Sequence, residues 1–190
     1  MKTATYNDLI IWHPCWLDEA GGEERLCAAV AHMPECFTAL DVLGLDGVSA
    51  ADRLWVALRP ELLSYRTLRL FACDCAERAL TRERAAGREP DARSWTAVAV
   101  ARRHAMGEAT DVDLLEAYRA AYAAYADTST AAAAAYAAAN AAAYAASDAT
   151  SASAATASAA AHPVCAYASA YAAEREAQIA ALRRTIEENE

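Results

Sequence analysis

Large apolar side chains are scarce in this chain. Only two Phe and three Met occur among 190 residues, although hydrophobic residues total 56%, because alanine dominates that count. A core built from such a sequence must be thin, with helices close together and Trp, Tyr and Leu filling what Ala cannot. Basic charge is short as well: 17 Lys and Arg face 26 Asp and Glu, a net charge of −9. An acidic surface repels phosphate backbones, so no direct nucleic-acid binding is expected, whereas a basic partner protein suits that sign. No uninterrupted apolar run follows Lys2, where Thr3, Thr5, Asn7 and Asp8 intervene, so no signal peptide is expected. The uncharged stretch Thr128 to Ser147 is alanine-rich and too weakly hydrophobic for a membrane span. The six cysteines, at 15, 27, 36, 73, 75 and 165, lack the spacing of a disulfide-stapled secreted domain, and reduced thiols in the cytoplasm are the expectation.

Motifs for chemistry are missing too. There is no glycine-rich phosphate loop, no G-x-S-x-G and no H-E-x-x-H, so neither catalysis nor a cofactor is expected. His32 and His104 are isolated, and His104, after Arg102-Arg103, reads as a solvated residue at a helix end. In Cys73-Asp74-Cys75 the two thiols, two positions apart on a helix, point about 200° away from each other and cannot share one ion. Cys75 falls on the core side, and Asp74, four residues before Arg78, is placed to pair with it. His13-Pro14-Cys15 and His162-Pro163-Val164-Cys165 could converge on zinc only if the two ends of the chain met. Neither spacing matches an established zinc pattern, so packing is the simpler account and no metal is expected. Thr128, Thr130, Thr150 and Thr156 keep no regular register, which argues against an ice-binding face.

What is present is helix-forming sequence. Residues 1–47 read as an irregular N-terminal cap with an apolar cluster of Tyr6, Leu9, Ile10, Trp12, Trp16 and Leu17, a short helix from Glu23 to Met33 stopped by Pro34, and room for a short strand or two. Residues 48–190 read as a helical bundle. Ser49 caps a helix with Asp52 three residues on and with Leu54, Trp55 and Leu58 on its apolar side. Pro60 should end it and open the next, which runs to about Arg84 with Tyr65, Leu68, Phe71, Ala72, Cys75 and Ala79 inward. Gly87 stops that helix. Pro90 opens another, with Trp95, Val98, Ala99 and Met106 inward and Arg88, Arg93, Arg102 and Arg103 outward, as far as Gly107. Thr110 caps a fourth, with Asp111 and Asp113 at the positive end of its dipole.

The half spanning 110–188 is rich in Ala and Tyr. Alanine supplies more than half of Ala120–Ala173, and the only charges there are Asp127 and Asp148. Alanine is the best helix former and loses no side-chain entropy, so helices are expected at 110–126, 128–147, 149–161 and 163–188. The fold class is therefore all-α: one Ala-rich bundle of about six to eight helices with a less regular cap. On a continuous helix Tyr118, Tyr122, Tyr125, Tyr136 and Tyr144 share a stripe about 100° wide, and Tyr167 and Tyr171 share a face four residues apart. These rings either fill gaps between closely spaced Ala faces or line an aromatic groove for a ligand or partner helix.

Leu68-Arg-Leu-Phe-Ala-Cys-Asp-Cys-Ala-Glu-Arg-Ala-Leu80, a helix opening near Pro90-Asp91, Glu116-Ala-Tyr-Arg-Ala-Ala-Tyr122 and the long Ala-rich tail together resemble a bacterial family of immunity proteins (immunity-five-like) from polymorphic toxin systems. The likeness covers about residues 40–185. Many of its members carry His and bulkier aromatics in the half that is plain alanine here. The resemblance implies a protein that binds and blocks a toxin delivered by a neighbouring cell, using a complementary surface instead of an active site. The residues themselves leave other roles open: a phage inhibitor of host defence, a sequestering protein for a nucleotide-type small ligand in the Tyr/Ala groove, or a homodimer through the Ala-rich face.

Overall fold

The computed structural model describes residues 1–14, 17, 21–127 and 168–190. The helices expected at 128–147 and 149–161 lie outside the described residues, as do Cys15, Tyr136, Tyr144, His162, Cys165 and Tyr167. Eight helices are described: α1 (Tyr6–Trp12), α2 (Gly22–Val30), α3 (Ala39–Leu43), α4 (Ala50–Ala57), α5 (Tyr65–Ala85), α6 (Ala92–Ala105), α7 (Asp111–Asp127) and α8 (Ala168–Asn189). Two strands, β1 (Ala4–Thr5) and β2 (Cys36–Phe37), pair antiparallel with Ala4 opposite Phe37. The described residues are thus all-α apart from a sheet of two two-residue strands near the N-terminus, and no helix among them is long and apolar enough to cross a membrane.

Short polar motifs set most helix starts. Thr5 with Asp8 and Thr38 with Asp41 form reciprocal capping boxes for α1 and α3. Ser49 accepts from the Asp52 amide at 3.1 Å, as its spacing implied. The next start differs from expectation, because Pro60 does not open α5. The amides of Leu62 and Leu63 both donate to the Arg59 carbonyl, closing a turn that buries both leucines completely. Ser64 then caps α5 by accepting from the Thr67 amide at 3.1 Å. Two leucines that need burial displace the helix start by one turn, and Tyr65 is left 57% exposed instead of inward.

The helices neighbour one another in the order α7, α6, α5, α8, with α8 also resting on α4 and α3. One hydrophobic core runs through all of them. Leu9, Leu26 and Phe37 from the first 47 residues join Leu54, Leu68, Phe71, Leu80, Leu114, Leu182 and Ile186 in it. α5 lies between α6 and α8, which explains its thiols: Cys73 and Cys75 point opposite ways, yet both are buried. Burial drives both thiol pKa values up, that of Cys73 to about 12.

α8 runs antiparallel to α5. At one end Glu190 accepts from the Ser64 amide (2.6 Å) and the Thr67 hydroxyl (2.8 Å). Burial opposes its ionisation, but these hydrogen bonds prevail and hold its carboxyl below the usual range. Midway, the Thr185 hydroxyl donates to Asp74 at 3.0 Å. At the other end Glu174, with only 5% of its side chain exposed, receives Arg78 at 3.0 Å and also Arg82, with the Gln178 amide at 3.3 Å. Asp74 therefore does not pair with Arg78. It binds Arg102 of α6 at 2.9 Å, and Arg102 reaches Glu77 at 2.8 Å as well, so this arginine bridges two helices instead of pointing outward. Tertiary neighbours at the right distance outcompete a one-turn pair that gains little in water.

Candidate protein-binding surface

α7 is the edge helix of the described stack, and its local sequence explains both its start and its orientation. Gly107, with φ of +79°, ends α6 in the left-handed region. Thr110 then forms a full reciprocal box: its amide donates to Asp113 Oδ2 at 2.8 Å, and the Asp113 amide donates to Thr110 Oγ1 at 3.2 Å. The Thr110 hydroxyl bond, followed by the Thr110 amide bond, holds the Asp113 carboxyl below its ordinary pKa. His104 is not the solvated residue its sequence position suggested. Its side chain is 11% exposed and its Nε2 meets Asp111 Oδ1 at 2.8 Å, pinning the end of α6 to the start of α7.

Small side chains let the two helices approach. On α6 the buried residues are Ser94, Ala97, Val98 and Ala101. On α7 they are Leu114, Ala117, Ala121 and Ala124. This rotates α6 away from the expected inward set: Val98 is buried, but Trp95 is only partly so, Ala99 faces out and Met106 is 41% exposed. Trp95 instead receives the Arg84 guanidinium over its ring at 4.1 Å.

The far side of α7 is apolar without being buried. Val112 (65% exposed), Leu115 (47%) and Tyr122 (50%) recur at three- and seven-residue spacing, opposite the Leu114–Ala124 seam at about 100° per residue. Tyr118 leans against the core, and its ring centroid lies 5.9 Å from that of Tyr122, tilted by 48°. Acidic side chains border this stripe. Glu108, Asp111, Asp113 and Glu116 stand against Arg119 within residues 108–122, and all five are exposed. A helix with an apolar stripe flanked by carboxylates can dock in a groove lined by basic residues.

Of the tyrosines singled out by spacing, the structure brings Tyr118 and Tyr122 together, places Tyr125 further along α7 and Tyr171 in the first turn of α8. Sequence reasoning missed Val112 and Leu115. Their signal was the periodicity of apolar residues offset from Leu114, which is readable only once the buried side of α7 is known. Among the described residues no three His, Cys, Asp or Glu side chains are grouped to hold a metal ion. Comparison with known proteins leaves this surface without a precedent: no family model, no curated protein and no solved structure matches the chain.

Proposed function

We propose that this chain is a binding protein that neutralises another protein by surface contact, with the solvent side of α7 as its contact helix. The observation behind this reading is the pairing of Val112, Leu115 and Tyr122, all about half exposed or more, with an acidic border. Val112 and Leu115, so exposed on an edge helix, gain little for the monomer, whereas an amphipathic helix docks such side chains in a partner's groove and a desolvated tyrosine is a common interface anchor. The acidic border selects a basic partner and speeds its approach. The resemblance to immunity proteins supplies the class of partner: a basic toxin, met in the cytoplasm and blocked without chemistry. A phage inhibitor of a host defence protein would use the same contact, and the genes beside this one separate the two roles.

The test is co-expression with the neighbouring toxin gene. The parent chain should restore growth and co-purify with the toxin, while the double variant Leu115→Asp, Tyr122→Asp should lose both and keep its helical circular dichroism. A double variant that protects as well as the parent removes α7 from the contact. Absence of protection by the parent removes the immunity role itself.

A further inference from the structure

A second site lies far from α7 along the chain, where α1 and α2 meet α3 and α4. A cavity of about 620 Å³ opens there, lined by Leu9, Leu26, Val30, Val42, Val48 and Val56 among others. Its size falls within the range of small-molecule pockets, roughly 300–1,000 Å³. α2 forms one wall and is held lightly, since Gly22 and Leu26 are its only buried residues. A helix held by Leu26, with Val30 only partly buried against the core, can shift to admit a ligand at modest expense.

Polar groups at the mouth decide the ligand's charge. Arg53 has both terminal nitrogens engaged: its Nη1 donates to the Leu43 carbonyl at 3.0 Å and its Nη2 meets Glu176 at 2.5 Å, while its buried Nε has no partner among the described residues. Arg25 likewise carries an interaction of its own. Asp52 accepts the Ser49 hydroxyl on one oxygen, leaving the other available. Asp46, exposed at the rim, makes no hydrogen bond or ion pair among the described residues. With the salt bridge of Arg53 to Glu176 neutralising that cation, the charges without an opposite partner at the opening are the carboxylates of Asp46 and Asp52.

We infer that this cavity binds a small apolar amine, its hydrocarbon body between α2 and α4 and its ammonium at Asp46 and Asp52. This site is independent of the α7 surface and holds whether or not α7 meets a toxin.

A matched series tests it: 3-phenylpropylamine, 3-phenylpropan-1-ol and 3-phenylpropionate, each titrated into the full chain and followed by ¹H–¹⁵N correlation spectra. Saturable shifts should centre on α2 and on residues 42–56, with the amine tightest and the carboxylate weakest. Asp46→Asn should cost the amine up to about fivefold, as expected for an exposed charge pair, and leave the alcohol unchanged. Ala29→Trp, which fills the cavity from α2, should abolish binding of all three. Shifts that do not saturate, or that centre elsewhere, overturn the cavity as a site. Equal affinity across the series, or an amine indifferent to Asp46→Asn, overturns the amine assignment, and these readings need no folded Ala29→Trp variant.

Discussion

α5 and α7 are both long helices, yet they serve the molecule differently. α5 buries residues on nearly every side, including Leu68, Phe71, Cys73, Cys75, Ala76 and Leu80, because α6 covers one flank and α8 the other. α7 buries a single seam against α6 and turns Val112, Leu115 and Tyr122 to solvent. A helix enclosed on both sides has every side chain dictated by packing. An edge helix has half of its surface released from packing, and here that half carries an apolar stripe among its charged residues where stability alone would favour polar ones.

The largest expected effect lies on the enclosed helix. Phe71→Ala, at a position with no exposure, should cost about 3–5 kcal/mol, measured by urea unfolding; a loss below 1 kcal/mol would mean that α5 is not the centre of the core. Next comes the polar clasp between α5 and α8. Glu174→Ala removes the shared acceptor of Arg78 and Arg82. Both arginines are about one-third exposed, so water softens the loss to about 2 kcal/mol. An unchanged unfolding midpoint would show that α8 does not depend on this contact.

The enclosure of α5 also has a pH signature. The Cys73 thiol titrates near 9 when unfolded and near 12 when folded, so the folded chain keeps a proton that the unfolded chain releases. Its contribution is complete below pH 9 and is lost as pH rises towards 12. Cys73→Ala should therefore show a shallower loss of stability over that interval than the parent, in unfolding curves taken at successive pH values; parallel curves would place Cys73 in contact with water. The smallest stability effect should come from the edge helix. Val112→Ala and Leu115→Ala should each change unfolding free energy by less than about 0.5 kcal/mol while weakening the partner complex at least tenfold in a binding titration. A large stability loss from either would show that this side of α7 is covered within the chain and is not a contact surface.

What could be read ahead followed from local physics. Ser49 with Asp52 and Thr110 with Asp113 act over three residues, so their caps are visible in the sequence and stand in the structure. Gly87 and Gly107 adopt positive φ just beyond the ends of α5 and α6. Leu68, Phe71, Ala72, Cys75 and Ala79 face the core as their spacing implied. Local signals failed where a distant group competed. Leu62 and Leu63 needed burial and so delayed α5 to Ser64. Arg102 and Thr185, distant in sequence, took Asp74 from Arg78. The candidate surface was half legible: the Tyr118–Tyr122 spacing was plain, but Val112 and Leu115 became conspicuous only when α6 was found against Leu114.

The sequence by itself determined that this protein is helical, where α4 begins, where α5 and α6 end and where α7 begins, and that it carries an excess of negative charge, because helix propensity, capping and composition act within a turn or need no geometry at all. Tertiary structure alone decided which side of α6 and of α7 is buried, which carboxylate meets which arginine, and that α1 to α4 border a cavity. Those outcomes depend on rotations and approaches between segments tens of residues apart, set by how small side chains such as Ala97, Ala101, Ala117 and Ala121 let the helices close on one another.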